Sequence, residues 1–291
     1  MPTSVQSPLV RARGIERVTK LKRVYLKRED CLPSGFHKFR AAKAVCCFAV
    51  ARGIRQLVAA SCGSYATALM HAAQGTNLEI QIFLSSTTDS VIPLLSVASS
   101  VVRSASYEDA VEGAAAFARE RSFLDVTPGG VMAGVLRSAL GQASIEIVCE
   151  LGAVPGAIFC PVGNGTTLAG MFERMITAEP ATFPAFYGVG VQDNVLFRSG
   201  DQSQMDKKDS RLEPLRAEMP LDARGVDAAV RLSGGGLVTV ELSQIEEAQA
   251  LLRDTEGIEI SLPGAAGVAG LIRCQDELVV RDAVCLLTSA G

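Results

Sequence analysis

The sequence predicts an α/β fold. Short apolar or β-branched runs alternate with longer alanine-rich segments of helical period, an arrangement typical of parallel strands joined by crossover helices. Gly, Pro, Ser or charged residues flank each short run and can end it as a strand. With 291 residues the chain exceeds the usual size of a single hydrophobic core, so we expect two domains.

The predicted elements follow in chain order. The strands are Val24–Lys27, Arg55–Ala60, Glu79–Leu84, Ala157–Cys160, Phe186–Val191 and Ala283–Thr288. The helices are Lys38–Arg52, Ser64–Gly75, Tyr107–Arg121, Gly134–Leu151, Thr167–Ala178 and Ser243–Thr255. The stretch from Asp193 to Gly236 has no clear period, so we interpret it as a mobile surface loop, followed by one strand near Val238–Val240.

Composition and charge narrow the class of partner. The chain is 48% hydrophobic and 20% charged, as expected of a globular protein, and its net charge is −3. Its basic residues are scattered, so we expect neither nucleic acid nor an anionic membrane as a partner. No apolar run reaches membrane-spanning length, and the N-terminus lacks the pattern of an export signal. We therefore expect a small-molecule partner.

The cysteines indicate a reducing compartment. Eight are present, but no two form a C-x-x-C pair, and the chain has only two histidines, so the spacing of zinc ligands is absent. We expect free thiols, no metal site and a cytoplasmic location.

Lys38 is the first candidate for chemistry. A predicted strand closes near Asp30, a Pro-Ser-Gly turn follows at 33–35, and Lys38 opens the next helix. The positive end of the helix dipole favours the neutral amine, which is the nucleophilic form. Taken alone, the position equally suits a solvated lysine in a first helical turn, as most lysines are solvated.

Two loops between a strand and a helix are candidate anion sites. The loop Ser61-Cys62-Gly63-Ser64-Tyr65 offers backbone amides and hydroxyls to a carboxylate, or simply an N-cap. The loop Gly163-Asn164-Gly165-Thr166-Thr167 offers amides and threonine hydroxyls to a phosphate, or forms a structural turn. It lacks the lysine of a P-loop, and no G-x-G-x-x-G follows the first strand, so a monophosphate fits better than a nucleotide.

The last strand ends in two hydroxyl residues, Thr288 and Ser289. A hydroxyl at the C-terminal end of a strand can face the ligand crevice of an α/β sheet. The alternative is a terminal strand that frays.

The order of these motifs resembles that of the tryptophan-synthase-β-like, or fold-type-II, pyridoxal-phosphate enzymes, which include threonine synthase, threonine dehydratase and cysteine synthase. Ser7-Pro8-Leu9 is similar to the family's opening T-P-L, and Leu26 to Arg40 is similar to its segment L-K-R-E…T-G-S-F-K-x-R. Ser61 to Ser64 stands where the family has S-S-G-N, and Gly163 to Thr167 where it has its phosphate loop.

Two further segments extend the resemblance to almost the whole chain. Glu256-Gly257 through Ala266 is similar to the family's E-G…E-P-A-G-A-A, and Thr288 to Gly291 to its closing S-G-G or T-G-x-G. In the family a further C-terminal segment usually follows this motif, so we expect a compact variant or a shortened chain.

The resemblance implies the architecture. It predicts two lobes with open, mostly parallel twisted sheets flanked by helices. Residues 1–47 and 133–291 are expected to form a large cofactor-binding domain, and residues 48–132 a smaller mobile domain that carries the carboxylate loop. The smaller lobe is expected to close when the substrate carboxylate binds. A homodimer is expected as well.

The resemblance also implies the roles of the candidate residues. Lys38 is expected to bind pyridoxal 5'-phosphate as a Schiff base and to act as the catalytic base. The other expected cofactor-binding residues are Ser64, Gly163, Asn164, Gly165, Thr166, Thr167, Thr288 and Ser289. The expected substrate-binding residues are Ser61, Cys62, Gly63, Ser64 and Tyr65.

The implied reaction is β-replacement or β-elimination on an amino acid, through an aminoacrylate-type intermediate. Threonine-synthase-type γ-replacement and a non-catalytic relative that binds an amino acid or the cofactor are the alternatives. Ser64 replaces the family's Asn, so Ser64 or the Tyr65 hydroxyl is expected to bond the cofactor's 3'-oxygen. Ser289, with Thr288 as second choice, is expected to face the ring nitrogen and to leave it largely unprotonated.

Overall fold

The computed structural model describes residues 5–85, 100–179, 182–198 and 209–291. The described residues form two compact units. The first contains Val5 and the described part of 36–140, and the second contains residues 6–35 and the described part of 141–291.

The first unit is built on a parallel four-stranded sheet in the order β5-β4-β3-β6. Its strands are β3 (Gln56–Ser61), β4 (Glu79–Ser85), β5 (Ser100–Ser104) and β6 (Leu124–Asp125). Its helices are α2 (Phe39–Ala51), α3 (Ser64–Ala73), α4 (Tyr107–Arg121) and the start of α5 (Ala133–Leu151). Every residue of β3 and β4 after the first is buried, as expected of central parallel strands.

The second unit is built on a six-stranded sheet in the order β1-β2-β10-β7-β8-β9, in which only β1 runs antiparallel to its neighbour. Its strands are β1 (Leu9–Arg11), β2 (Arg23–Arg28), β7 (Ala157–Pro161), β8 (Ala185–Gly190), β9 (Gly236–Thr239) and β10 (Asp282–Leu287). Its helices are α1 (Arg13–Val18), the rest of α5, α6 (Thr166–Ala178), α7 (Ala223–Ser233), α8 (Leu242–Glu256) and α9 (Leu262–Cys274).

Both faces of the six-stranded sheet are covered by helices. Cys285 and Leu287 of β10 belong to an apolar cluster with residues of α8 and α9. Val284 and Leu286, which alternate with them, belong to a second cluster with residues of α6 and α7. Because successive side chains of a strand point to opposite faces, β10 lies in the middle layer of three. The predicted α/β class with flanking helices is confirmed.

The predicted strands and helices are all observed, with closely similar bounds, and the strand expected near Val238–Val240 is β9. Several short elements and the helices α7 and α9 were not predicted from the sequence. Every residue from Leu262 to Leu271 is buried, so α9 has no polar face and therefore no amphipathic period.

The interpretation of Asp193 to Gly236 as a surface loop is wrong for most of its described part. Residues 210–215 form a 3-10 helix, and α7 follows at Ala223–Ser233. Val226 and Ala229 of α7 are fully buried, as is Asn194. Arg224, Asp227 and Arg231 of α7 are exposed, and together with the many other polar residues of this stretch they obscured the apolar positions of the helix. Residues 199–208 of the stretch lie outside the described residues.

Among the described residues, no helix is long and apolar enough to span a membrane.

Candidate active site

Lys38 lies at the start of α2, in the first unit. It directly precedes the helix with helical backbone angles, and its carbonyl accepts the first helical hydrogen bond, from the Ala42 amide at 3.0 Å. Desolvation by the surrounding protein lowers the pKa of its amine, although the nearby Cys62 acts in the opposite direction. A lowered pKa increases the fraction of neutral amine at neutral pH, which is the form that attacks an aldehyde or takes up a proton.

The Lys38 amine contacts the second predicted motif. Its Nζ atom donates a hydrogen bond to Oγ of Ser64, the first residue of α3, at 3.0 Å. The start of α2 and the loop after β3 thus converge within one unit. This contact brings together an amine and a hydroxyl that lie 26 residues apart in the chain.

The loop after β3 has a defined shape. Oγ of Ser61 accepts hydrogen bonds from the amides of Gly63 and Ala66, both at 3.0 Å. Gly63 has φ of 113°, a conformation that a residue with a Cβ rarely adopts. The amides of Ser64 and Tyr65 lie in the first turn of α3, where a helix provides no acceptor for them. They are the donors that this loop can offer to a carboxylate.

Tyr65 and Ser64 differ in where their hydroxyls lie. Tyr65 is buried, and its hydroxyl donates to the carbonyl of Val126 at 2.8 Å. Burial also raises the pKa of Tyr65, so this hydroxyl keeps its proton. Ser64 is therefore the hydroxyl of the loop that is in contact with Lys38, whereas the Tyr65 hydroxyl supports the core. Cys62, between Ser61 and Gly63, is partly exposed.

The glycine loop lies in the second unit, between β7 and α6. A Cβ on Gly163 would lie 2.2 Å from the carbonyl oxygen of Pro214, so only glycine fits there. Gly165 has φ of +86°, and its Cβ would lie 2.4 Å from the side chain of Val226. The loop therefore needs glycine at both positions for steric reasons.

Asn194 fastens the glycine loop. Its side-chain amide donates to the carbonyls of Gly163 at 2.9 Å, Leu215 at 2.9 Å and Val162 at 3.3 Å. The loop is also held by the Asp222 amide, which donates to the Asn164 carbonyl at 3.0 Å. Sequence reasoning missed Asn194 because it lies in the stretch that was interpreted as a loop.

The first turn of α6 can hold a phosphate. Gly165 caps this helix without a side-chain hydrogen bond, so the amides at its start are not used by a cap. Thr166 and Thr167 contribute two buried hydroxyl side chains at the same place. Amides at the positive end of a helix, together with hydroxyls and closely approaching glycine backbone, form the donor set that suits a phosphate monoester. The loop therefore fits the phosphate of pyridoxal phosphate.

We expect Gly165→Asp to weaken binding of pyridoxal phosphate to the apo-protein at least tenfold. The substitution would place a negative charge and a side chain at the expected position of the phosphate, and a residue with a Cβ rarely adopts the backbone conformation of Gly165. A fluorescence titration measures the affinity, and Gly152→Asp, at an unrelated glycine with φ of +67° and open space around it, is the control. Unchanged affinity in Gly165→Asp argues against this loop as the phosphate site.

The chain end forms a further part of the second unit. Thr288 and Ser289 directly follow β10, which pairs in parallel with β7, so they lie at the same edge of the sheet as the glycine loop. The Ser289 hydroxyl contacts Oγ of Ser261, the N-cap of α9. The Ala290 amide donates to the Gly35 carbonyl at 2.9 Å. These contacts tether the end of the strand. Ser261 was not predicted as a site residue, although a Ser two positions before Pro263 is a helix-start signal.

The described residues hold no group of three His, Cys, Asp or Glu side chains placed to bind a metal ion. All eight cysteines are free thiols.

The lowered pKa of Lys38 predicts a pH-dependent stability of the apo-protein. Between this pKa and the ordinary lysine value of about 10.4, the unfolded chain binds a proton that the folded protein does not, so the stability contributed by Lys38 rises with pH. Urea unfolding from pH 7 to pH 10 measures this rise. The slope should be smaller in Lys38→Met. Equal slopes in both proteins contradict the lowered pKa.

Comparison with known proteins places these features in a family. Residues 2–289 match the family described as pyridoxal-phosphate dependent enzyme. The chain is 25% identical to threonine synthase of Synechocystis sp. over 98% of its length and 76% of the relative's. It is 24% identical to threonine synthase of Methanocaldococcus jannaschii over 98% of its length and 74% of the relative's.

Solved structures share the fold. An L-serine ammonia-lyase of Rhizomucor miehei has 21% identity and a TM-score of 0.80, with 99% of this chain and 94% of that chain covered. A pyridoxal 5'-phosphate-dependent aspartate racemase has 15% identity and the same TM-score of 0.80, with 99% of this chain and 91% of that chain covered. The family match extends over both units, and the chain therefore belongs to the family of pyridoxal-phosphate-dependent enzymes.

Proposed function

We propose that this protein catalyses β-elimination or β-replacement on a small amino acid, with pyridoxal phosphate bound through Lys38. The observation that carries the proposal is the Lys38 amine, desolvated and hydrogen-bonded to Ser64 at 3.0 Å. A lysine of this kind serves first as the attachment point for an aldehyde and then, once released, as a base.

The cofactor supplies one part of the chemistry. When bound, pyridoxal phosphate provides an electron sink for the pair of electrons left at the α-carbon when its proton departs. The glycine loop at 163–167 would hold its phosphate, and Ser289 its ring nitrogen. Thr288 is the second choice for the ring contact.

The protein's own residues supply the rest. The neutral amine of Lys38 accepts the α-proton at Nζ, and Ser64 orients that atom through the hydrogen bond. The loop at 61–65 binds the substrate carboxylate through the amides at the start of α3, and Ser61 maintains the shape of the loop. Ser64 takes the place of the usual Asn of the family.

Lys38-Phe39-Arg40 supports β-chemistry, because it is more similar to the K-x-R-G of dehydratases than to the K-D-R of the synthases. The segments 163–167 and 190–192, in contrast, are more similar to those of threonine-synthase relatives. The Ser289 hydroxyl, rather than a carboxylate, would face the ring nitrogen and would leave it largely unprotonated, which favours elimination and replacement over transamination.

Threonine-synthase-type γ-replacement is the second candidate. It is supported by the threonine synthases that match 98% of this chain.

A substrate screen decides between the two. Purified protein is mixed with serine, threonine, O-acetylserine, O-phosphoserine and O-phosphohomoserine. The readouts are the imine absorbance at about 400–430 nm, expected from the cofactor's chemistry, and the mass of the product. Turnover of serine or its esters supports β-chemistry, whereas turnover of O-phosphohomoserine alone supports γ-replacement. An imine band that no amino acid shifts supports a non-catalytic binder and contradicts the proposal.

The homodimer and the cytoplasmic location remain predictions. Light scattering of the purified protein tests the first, and cell fractionation tests the second.

A further inference from the structure

We propose that Ser261 is a positioning residue that directs the hydroxyl hydrogen of Ser289 and thereby sets the hydrogen bond that Ser289 makes to the cofactor's ring nitrogen. This inference rests on the proposed function, in which Ser289 is the partner of the ring. It adds to the site a residue on a different element, the N-cap of α9.

The two serines are held together by several contacts. The Ser261 amide donates to the Ser289 carbonyl at 3.2 Å, and Oγ of Ser261 lies 3.2 Å from the same carbonyl oxygen. The two Oγ atoms are in direct contact, and either can be the donor. Oγ of Ser261 also accepts from the Gly264 amide at 3.3 Å. The backbone of Ser289 is thus fixed, and the hydroxyl hydrogens are the parts free to rotate.

The hydroxyls of Ser261 and Ser289 can form their hydrogen bonds in two arrangements, because each hydroxyl has one hydrogen to donate. In the first, Ser261 donates to the carbonyl of Ser289, and Ser289 donates to Oγ of Ser261. In the second, Ser261 donates to Oγ of Ser289, and the hydrogen of Ser289 is free for another acceptor.

The two arrangements suit opposite states of the ring nitrogen. In the first arrangement Ser289 can only accept, so it suits a protonated ring nitrogen. In the second it donates, so it suits an unprotonated one. A hydroxyl that accepts one hydrogen bond also becomes a better donor in the next. In the second arrangement, Ser261 would therefore strengthen the hydrogen bond that Ser289 donates to an unprotonated ring nitrogen, the form suited to elimination and replacement.

The first test removes the Ser261 hydroxyl. We expect Ser261→Ala to weaken the affinity of the apo-protein for pyridoxal phosphate about three- to tenfold, the range of one net hydrogen bond. The imine band should also change its pH profile, since Ser289 loses the partner that orients it. Ser261→Thr, which retains the hydroxyl, should keep both the affinity and the pH profile of the parent protein.

A double-mutant cycle separates positioning from stability. Ser261 also caps α9, so Ser261→Ala should lower the urea midpoint in any background. Its effect on cofactor affinity, however, should disappear in a Ser289→Ala background if Ser261 acts through Ser289. The same loss of affinity in both backgrounds, or no loss in Ser261→Ala alone, overturns the inference.

Failure of this inference differs from failure of the proposed function. If the parent protein forms no imine band with pyridoxal phosphate, the proposed function fails and the inference fails with it. If the band forms and depends on Lys38 but the cycle shows no coupling, the inference alone is overturned.

Discussion

Lys38→Ala is expected to abolish the imine absorbance and all catalytic activity. In the proposed mechanism, Lys38 is both the amine that binds the aldehyde of the cofactor and the base that takes the α-proton, so its removal would leave no part of the reaction sequence. The measurements are the absorbance near 400–430 nm expected of the imine, borohydride reduction followed by peptide mass mapping, and product formation. The glycine loop, the proposed phosphate site, is unchanged in this variant, so weak, non-covalent binding of the cofactor should persist.

Two comparisons make this result specific. Lys43→Ala alters another lysine of α2 and should retain the imine. Addition of a small primary amine to Lys38→Ala should restore part of the activity, because the amine can serve as the missing base. A cofactor that borohydride still links to the Lys38→Ala protein would falsify the assignment.

Lys27→Met is expected to lower the free energy of unfolding by about 3–5 kcal/mol, the cost of breaking a buried ion pair on one side. Lys27 is fully buried, and its Nζ lies 2.9 Å from a carboxylate oxygen of Glu146 and 2.7 Å from one of Glu150, both on α5. The same amine donates to the carbonyl of Ser7 at 2.7 Å. Methionine replaces the volume of lysine but removes the Lys27 cation from both carboxylates, and Glu146 is buried.

Urea unfolding of the apo-protein measures this loss. Lys22→Met, at an exposed lysine just before the same strand, is the control and should change the stability by less than about 0.5 kcal/mol. Adding Glu146→Gln and Glu150→Gln to Lys27→Met should recover much of the loss, because the two negative charges that Lys27 balanced are then removed. A Lys27→Met protein as stable as its parent means that the network contributes nothing to folding.

The contacts around Lys27 explain the structural role of the motif Ser7-Pro8-Leu9, which the sequence alone did not reveal. None of these three residues has an ionisable side chain that would indicate a role in catalysis. In the structure, Oγ of Ser7 donates to Glu29 at 2.5 Å, and the Leu9 amide donates to Glu150 at 3.2 Å. The segment is thus tied to β2 and α5 and helps to hold the second unit together.

Site residues could be predicted from the sequence when the features that mark them lie close together along the chain. Lys38 and the loops at 61–65 and 163–167 were recognisable because strand, loop and helix start follow each other within a few residues. Asn194 and Ser261 were not, because their partners lie 31 and 28 residues away, respectively, and nothing in the intervening sequence indicates the contact. The structure also distinguished Ser64 from Tyr65, which the sequence leaves equivalent.

By itself, the sequence determined the α/β class, the positions of the main strands and helices and the family resemblance, because periodicity and short motifs are local properties of the chain. Only the tertiary structure decided that α7 and the largely buried α9 pack against the core, that Asn194 holds the glycine loop and that Ser261 contacts Ser289. These features depend on packing between distant segments. A buried helix without a polar face leaves no amphipathic pattern in the sequence. A polar side chain that bonds to a distant segment leaves no local pattern either, because only the folded backbone brings the two partners together.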